Sequence, residues 1–394
     1  MRPLAVVFGS EPGIGGLGHQ AASSLEAAMA TGATHAIGPG AGGAFAGRHA
    51  GLEWTAVDGD ARRPLEGRAE ATLRRVASGP PQLRRDRRLG ERARDVVAAA
   101  APSALYGFTQ VSLEALELAR AEGWPTMLDN PNTHLRDFAT SYRSEAWRWM
   151  GVPYLGHPTD AMLQRVEREY ALADRIRVSS TRARRSMSRY GVPAAKIDVV
   201  PQPIDLERFR LPAFPRRREG PLRLVFVGSL DLRKGFVYLL RAMRLLGAGA
   251  TRLRIVGMTG DPLSRRLFDR EREGLEVVVE PGDPVPALAE GEVLVLPSLE
   301  DGFGFVVGEA LACGMPVVVT DACGGADWVE ADEAAGRVVP PGDAEAIASA
   351  LAELADGRAR LDDAAPVARR VAEAQVARSL AAMPELVAAH LRAG

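Results

Sequence analysis

Short apolar runs alternate with stretches of helical period along most of the chain. In the first half, runs at 4–9, 34–37, 53–57, 103–108, 125–129, 175–178 and 197–200 predict strands. Helical spacing predicts helices over 17–30, 111–122, 135–149, 159–172 and 181–190. In the second half, strands are expected at 222–227, 252–256, 275–279, 293–297 and 316–319, and helices at 235–246, 262–272, 303–313 and 344–356. Strands that alternate with helices argue for parallel sheets with crossover helices. Open sheets of that kind bind ligands beyond the carboxyl ends of their strands. A Pro-rich, basic stretch at 211–221 reads as a linker between two domains. The segment 61–97 holds 11 arginines and shows no clear period.

Composition narrows the class. At 394 residues the chain suits two α/β domains better than one core. Apolar residues make up 46% and charged residues 25%, the balance of a soluble globular protein. No apolar run approaches the ~20 residues needed to span a bilayer. The apolar stretch Leu4 to Phe8 reads as a buried strand, too short for a signal-peptide core. Cys313 and Cys323 are too few for a disulfide framework or a zinc site, so a reducing, cytoplasmic compartment is expected. The net charge of −1, only slightly skewed between the halves, gives no footprint for nucleic acid. Among 49 basic residues only Lys196 and Lys234 are lysines, which singles out Lys234 where it falls.

Two segments carry candidate chemistry. Residues 228–235, GSLDLRKG, lie between a strand and a helix. Such a junction offers backbone N–H groups and the positive end of a helix dipole, and Arg233 and Lys234 add cationic charge suited to a pyrophosphate. The plain alternative is a helix start with two solvated cations. Residues 296–319, LPSLEDGFGFVVGEALACGMPVVV, form the stronger signal. After a buried strand come the acids Glu300 and Asp301. Gly302 and Gly304 then let backbone approach a ligand closely, and N–H groups near Phe305 and Val306 can hold phosphate. Glu309 lies one turn on, on the face of Phe305, where its carboxylate can accept from ribose hydroxyls. An exposed acidic pair before a capped helix is the bland alternative.

The spacing from Asp301 to Glu309 around the G-F-G of Gly302, Phe303 and Gly304 resembles the signature of glycosyltransferase family 4. GSLDLRKGFVYLLRA, the strand ending in IVG at 255–257, and the long segment 157–209 are similar to that family too. GIGGLGHQAASSLEAAM at 13–29 resembles its GG loop and first helix. The resemblance implies an α/β GT-B fold, with two Rossmann-like doubly wound parallel-sheet domains facing across a cleft. Residues 1–203, joined by a C-terminal helix at about 375–394, would bind acceptor, and 204–374 would bind donor. It further implies a retaining, metal-independent transfer from a nucleotide-diphosphate sugar, UDP- or GDP-linked, to a glycan, lipid-linked or small-molecule acceptor. No cofactor is expected. Carried over by residue, Gly15 and Gly16 line the cleft near the diphosphate and acceptor, and Ser229 and Gly257 border the donor. Lys234 neutralises the diphosphate, Asp301 takes hydroxyls of the donor sugar, Phe305 and Val306 present N–H groups to phosphate, and Glu309 holds the ribose. There are departures. Ser229 stands where many relatives have Arg, with Arg233 available to supply that charge. The first acid is Asp, and Glu300 can compete with Asp301 for its role. PQPID at 201–205 replaces the more usual turn at the hinge.

Other candidates are open. Asp129 and His134, in DNPNTHLRDF, follow a strand end where the family places acceptor- or sugar-facing groups; a plain loop fits as well. His19 follows the GG loop. Asp58 and Asp60 form a D-x-D that holds a metal in the other large glycosyltransferase fold, but they lie far from the donor signature. The Arg-rich 61–97 could make peripheral contact with anionic lipid at the inner membrane face or with an anionic acceptor; a solvated surface is the simpler reading. Two rivals remain: a catalytically inactive GT-B protein that binds sugar nucleotide or carbohydrate, and a nicotinamide enzyme built on the G-x-G-x-x-G at 13–18.

Overall fold

The computed structural model describes residues 2–10, 12, 15–40, 45, 47, 49, 52–57, 79–151, 153, 158–213, 219–257 and 261–391. Asp58, Asp60 and the part of the Arg-rich segment at 61–78 lie outside the described residues.

Two parallel sheets carry the chain. The first contains β1 (Leu4–Val7), β2 (Thr34–Gly38), β3 (Leu52–Ala56), β4 (Ala104–Phe108), β5 (Thr126–Asn130), β6 (Arg175–Val178) and β7 (Ile197–Val199), in the order β3-β2-β1-β4-β5-β6-β7. The second contains β8 (Leu222–Val227), β9 (Thr251–Val256), β10 (Val277–Glu280), β11 (Val293–Leu296), β12 (Val317–Thr320) and β13 (Gly336–Val339), in the order β10-β9-β8-β11-β12-β13. Strands buried on both faces read as continuous apolar runs, as LAVV and VLVL do here. Strand order reverses beside β1 in one sheet and beside β8 in the other, which marks the crevices where doubly wound sheets bind ligands.

Helices cover the faces. They are α1 (Gly15–Thr31), α2 (Gly79–Ala100), α3 (Leu113–Glu122), α4 (Leu135–Met150), α5 (Asp160–Leu172) and α6 (Thr181–Arg189) in the first unit. In the second they are α7 (Phe236–Leu246), α8 (Pro262–Glu271), α9 (Val285–Glu290), α10 (Phe305–Ala312), α11 (Ala326–Val329) and α12 (Ala344–Asp356), followed by the long α13 (Leu361–Leu391). Leu89, Ala93 and Val97 are buried along α2 at four-residue spacing, so the Arg-rich segment resolves there into an amphipathic helix with exposed arginines on its other face.

The crossing between units falls earlier than the Pro-rich stretch suggests. Val200 packs on the first core, while Ile204 and Phe209 already belong to the second. The segment 211–221 therefore follows the crossing instead of forming it. The return path is α13. Its Ala368, Ala372 and Val376 pack on the second core, and Met383, Val387 and Leu391 on the first. The Ser379 hydroxyl donates to the Pro201 carbonyl at 2.6 Å, tying helix to crossing. One first-unit helix also leans across: Tyr142 and Ala146 of α4 pack into the second core, and Tyr238 on α7 donates to Glu145 at 2.8 Å.

Candidate functional site

The loops after β5 and β6 meet the loops after β11 and β12. The Thr133 hydroxyl donates to Glu300 Oε1 at 2.7 Å, and the Ser180 hydroxyl to the Gly302 carbonyl at 2.7 Å. Farther along, the Thr181 N–H donates to Asp327 at 2.7 Å, and Arg182 pairs with Asp327 and Glu330. A Cβ on Gly302 would stand 2.4 Å from the Asn132 Cα. The glycine expected to admit a ligand thus admits the backbone of the opposite unit.

Beside this contact the two segments singled out by chemistry come together. Asp231 caps a single 3-10 turn, Leu232–Lys234, by accepting from the Lys234 N–H at 3.1 Å. Gly235 closes the turn at φ +67°, so close to Pro297 that a Cβ would sit 1.9 Å from its carbonyl oxygen. That contact fastens the turn to the end of β11 and delivers Arg233 and Lys234 to the acids. The Lys234 ammonium bonds Asp301 Oδ2. Arg233 donates to the Glu300 carbonyl at 2.8 Å and faces its carboxylate at 3.3 Å. Burial opposes charge on Asp301, but Lys234 and Arg233 more than offset it and hold the carboxyl below its usual range. On Glu300 burial wins over the attraction of Arg233, and the carboxyl rises above its ordinary value.

Gly304 takes φ +72° as the residue before α10, a left-handed conformation that suits glycine. Phe305 and Val306 open that helix, whose first N–H groups lack intrahelical partners. Phe303 is buried against Phe305 and Trp328 and acts as packing. One turn into α10, Glu309 is half-buried, and its carboxylate has no hydrogen-bond or ion-pair partner among the described residues. Burial pushes its carboxyl up to about 7, with Arg208 opposing and Asp283 reinforcing the shift. Those two groups pair with each other at 2.8 Å. Gly257 approaches Gly228 so closely that a Cβ would lie 2.0 Å from the Gly228 oxygen, which keeps the ends of β8 and β9 together. Ser229 is exposed and donates to Asp231 at 2.5 Å. Gly15 and Gly16 begin α1, and His19 lies exposed on that helix.

The two picks at the end of β5 turn out otherwise. Asp129 is fully buried and accepts from Gln20, from Ser24 at 3.1 Å, from Tyr106 at 2.6 Å and from Arg177 at 3.2 Å. With 0% exposure it offers an acceptor no surface, and its network ties α1 to β4, β5 and β6. His134 is 1% exposed and caps α4, its Nδ1 accepting from the Arg136 N–H at 3.2 Å. Burial lowers its pKa to about 4, so the ring is neutral, stacked 4.6 Å from Tyr190. The side chain of that loop that reaches across is Thr133, which lies between the two picks in the D-x-x-x-T-H order but is not itself one of them. Cys323 is buried against Gly304, and burial pushes its thiol up, which removes it as a nucleophile at neutral pH. Among the described residues no cluster of three His, Cys, Asp or Glu side chains is placed to hold a metal. No helix of the described residues is long and apolar enough to cross a membrane.

Two doubly wound sheets with their strand ends facing define the GT-B fold, and a Lys–Asp pair lies beside a glycine-led helix where they meet. The family description "Glycosyl transferases group 1" matches residues 221–356. The chain is 32% identical over 317 residues to a D-inositol 3-phosphate glycosyltransferase of Xylanimonas cellulosilytica, covering 68% of this chain and 73% of that one. The chain belongs to the glycosyl transferases group 1 family. It is also 32% identical over 191 residues to the amylovoran biosynthesis glycosyltransferase AmsK of Erwinia amylovora, covering 45% of this chain and 46% of that one. The chain spans about half or less of the length of several such curated relatives. In structure it resembles Anabaena HepE in complex with UDP-glucose, with TM-score 0.70 and 15% identity over 98% of both chains.

Proposed function

We propose that the protein transfers a sugar, with retention of anomeric configuration and without a catalytic metal, from a UDP- or GDP-sugar to a glycan, lipid-linked or small-molecule acceptor. The observation that carries this reading is the Lys234–Asp301 pair at the facing strand ends, with the unpartnered Glu309 one turn into α10. The UDP-glucose bound to HepE, a protein of the same fold, supports a nucleotide-sugar donor.

Donor entry separates the pair. Lys234 turns to the diphosphate, where the N–H groups of Phe305 and Val306 also point, and Asp301 is released to accept from hydroxyls of the sugar. Glu309 accepts from the ribose. The bond from the anomeric carbon to the diphosphate breaks with its electron pair moving to the leaving phosphate, and positive charge grows on the sugar. Lys234 and the helix N–H groups meet that phosphate charge where it develops. The acceptor oxygen then bonds to the anomeric carbon on the face the diphosphate leaves, and its proton passes to the departing phosphate. Gly15 and Gly16 start the helix on the acceptor side, where absent side chains leave room for both substrates.

A panel of UDP- and GDP-sugars in excess EDTA, read out by release of nucleoside diphosphate, tests the proposal. Turnover of at least one donor under chelation supports it. Turnover that appears only after magnesium or manganese is returned overturns the metal-independent part and points to Asp58 and Asp60. Binding of NAD with no release from any donor overturns the whole.

A further inference from the structure

Arg233 and Lys234 are neighbours in the chain, as are Glu300 and Asp301, yet the two pairs they form differ in what they touch. Among the described residues the Lys234 and Asp301 side chains bond one another across the second unit's two loops, and Asp301 Oδ1 also accepts from the Phe303 N–H at 3.4 Å. Arg233 and Glu300 bond each other and also touch the first unit. Glu300 is 2% exposed and its Oε1 accepts from the Thr133 hydroxyl at 2.7 Å and the Thr133 N–H at 3.4 Å. The Arg233 guanidinium lies 5.3 Å from the centre of the Phe138 ring, on the helix that Thr133 leads into. Asn132 and Gly302 press backbone to backbone beside them.

We propose that Thr133, Glu300 and Arg233 form a clasp between the units, in which Glu300 and Arg233 are positioning residues that fix the adjoining Lys234 and Asp301 instead of binding donor themselves. The argument is one of commitment. A buried carboxylate needs its hydrogen bonds, and Glu300 obtains them from both units at once. Arg233, held by a carbonyl, a carboxylate and an aromatic face, has no reason to leave for a phosphate that Lys234 reaches from the next position. Seating Thr133 on Glu300 therefore sets the loop that carries Asp301, and the donor pair is in register only when the units are in contact. The inference rests on the transferase reading above and extends it to the coupling of domain contact with turnover.

The test compares Thr133→Val, which keeps shape and loses the hydroxyl, with Thr133→Ser, which keeps the hydroxyl. The probe for affinity is UDP, or GDP if UDP does not bind the wild-type chain. A hydrogen bond to a charged group is worth roughly a factor of ten in turnover if it acts on the closed state. Thr133→Val should thus lower kcat about tenfold. The nucleoside diphosphate Kd should stay within about twofold, because the side chains proposed to hold it, Lys234 and Glu309, lie in the second unit. Thr133→Ser should restore kcat, and small-angle scattering should show Thr133→Val more open with UDP bound. Glu300→Gln should fall in the same direction, which covers the case of a Thr133→Val chain that does not fold. Wild-type kcat in both Thr133→Val and Glu300→Gln overturns the clasp, as does a loss of UDP affinity that matches the loss of kcat. Lys234→Ala measured alongside separates the two claims. If it is inert, the donor-site reading fails; if it abolishes turnover while Thr133→Val is normal, only the clasp fails.

Discussion

The Lys234 ammonium rests on the Asp301 carboxylate at the head of the second sheet, with both side chains largely buried. A buried pair of this kind stabilises a fold only weakly, because desolvating both charges costs about what their attraction returns. In the proposed mechanism its value lies in exchange: the pair holds both side chains in place until a ligand presents an anion to Lys234 and hydroxyls to Asp301.

If Glu309 holds the ribose as proposed, its carboxyl, raised to about 7, should make donor binding depend on pH. A carboxylate that accepts from ribose hydroxyls binds best when ionised. Protonation lowers its acceptor capacity, so the donor KM should rise as pH falls below about 7, by up to about tenfold per pH unit, and level off above it. Glu309→Gln should show a higher KM at pH 8 and no such slope. A wild-type KM that is flat between pH 5.5 and 8 removes Glu309 from the ribose.

Asp129 should prove a stability residue. Replacing it by Asn leaves Arg177 buried without its counter-charge, which typically costs ~3–5 kcal/mol. Thermal melting should show a large drop in Tm, while the folded fraction turns over normally at saturating substrates. A stable Asp129→Asn chain with a raised acceptor KM would return Asp129 to the acceptor site.

His134→Asn should keep turnover. Asn caps helices as well as the neutral imidazole does here, whereas His134→Ala loses the cap at a cost of about 1 kcal/mol. With the ring already neutral above about pH 4, the kcat profile should carry no limb near 6.5 from this residue. Loss of turnover in His134→Asn at unchanged Tm would place the imidazole in the chemistry.

Much of the fold was legible because both sheets are parallel and buried. Strands such as LRLVFV and VLVL announce themselves as apolar runs, and the helices between them carry an apolar stripe. The elements that escaped have weak signals. β13 is four residues long, begins at a glycine and contains Arg337. α9 and α11 are a turn or two each. In α2 the exposed arginines hide an inner face of only a few small apolar side chains. At the site, the order GSLDLRKG and LEDGFGFVVGE singled out Lys234, Asp301 and Glu309, and the fold brings Lys234 onto Asp301 with Glu309 one turn into the adjoining helix. Sequence order could not separate Glu300 from Asp301, since adjacent side chains face different ways only once the loop is folded. Nor could it tell that Asp129 points inward to Arg177, 48 residues on, while the neutral Thr133 reaches the other unit.

The central claim is that Lys234 meets the charge that grows on the leaving phosphate, and kcat of Lys234→Ala at saturating donor tests it most directly. Loss of one such pre-aimed donor typically costs ~3 kcal/mol, so turnover should fall about a hundredfold or more. Glu309→Ala, measured on the same donor, should instead raise KM more than it lowers kcat, because the ribose does not change during the reaction. A Lys234→Ala chain that turns over at the wild-type rate under saturating donor would contradict the account.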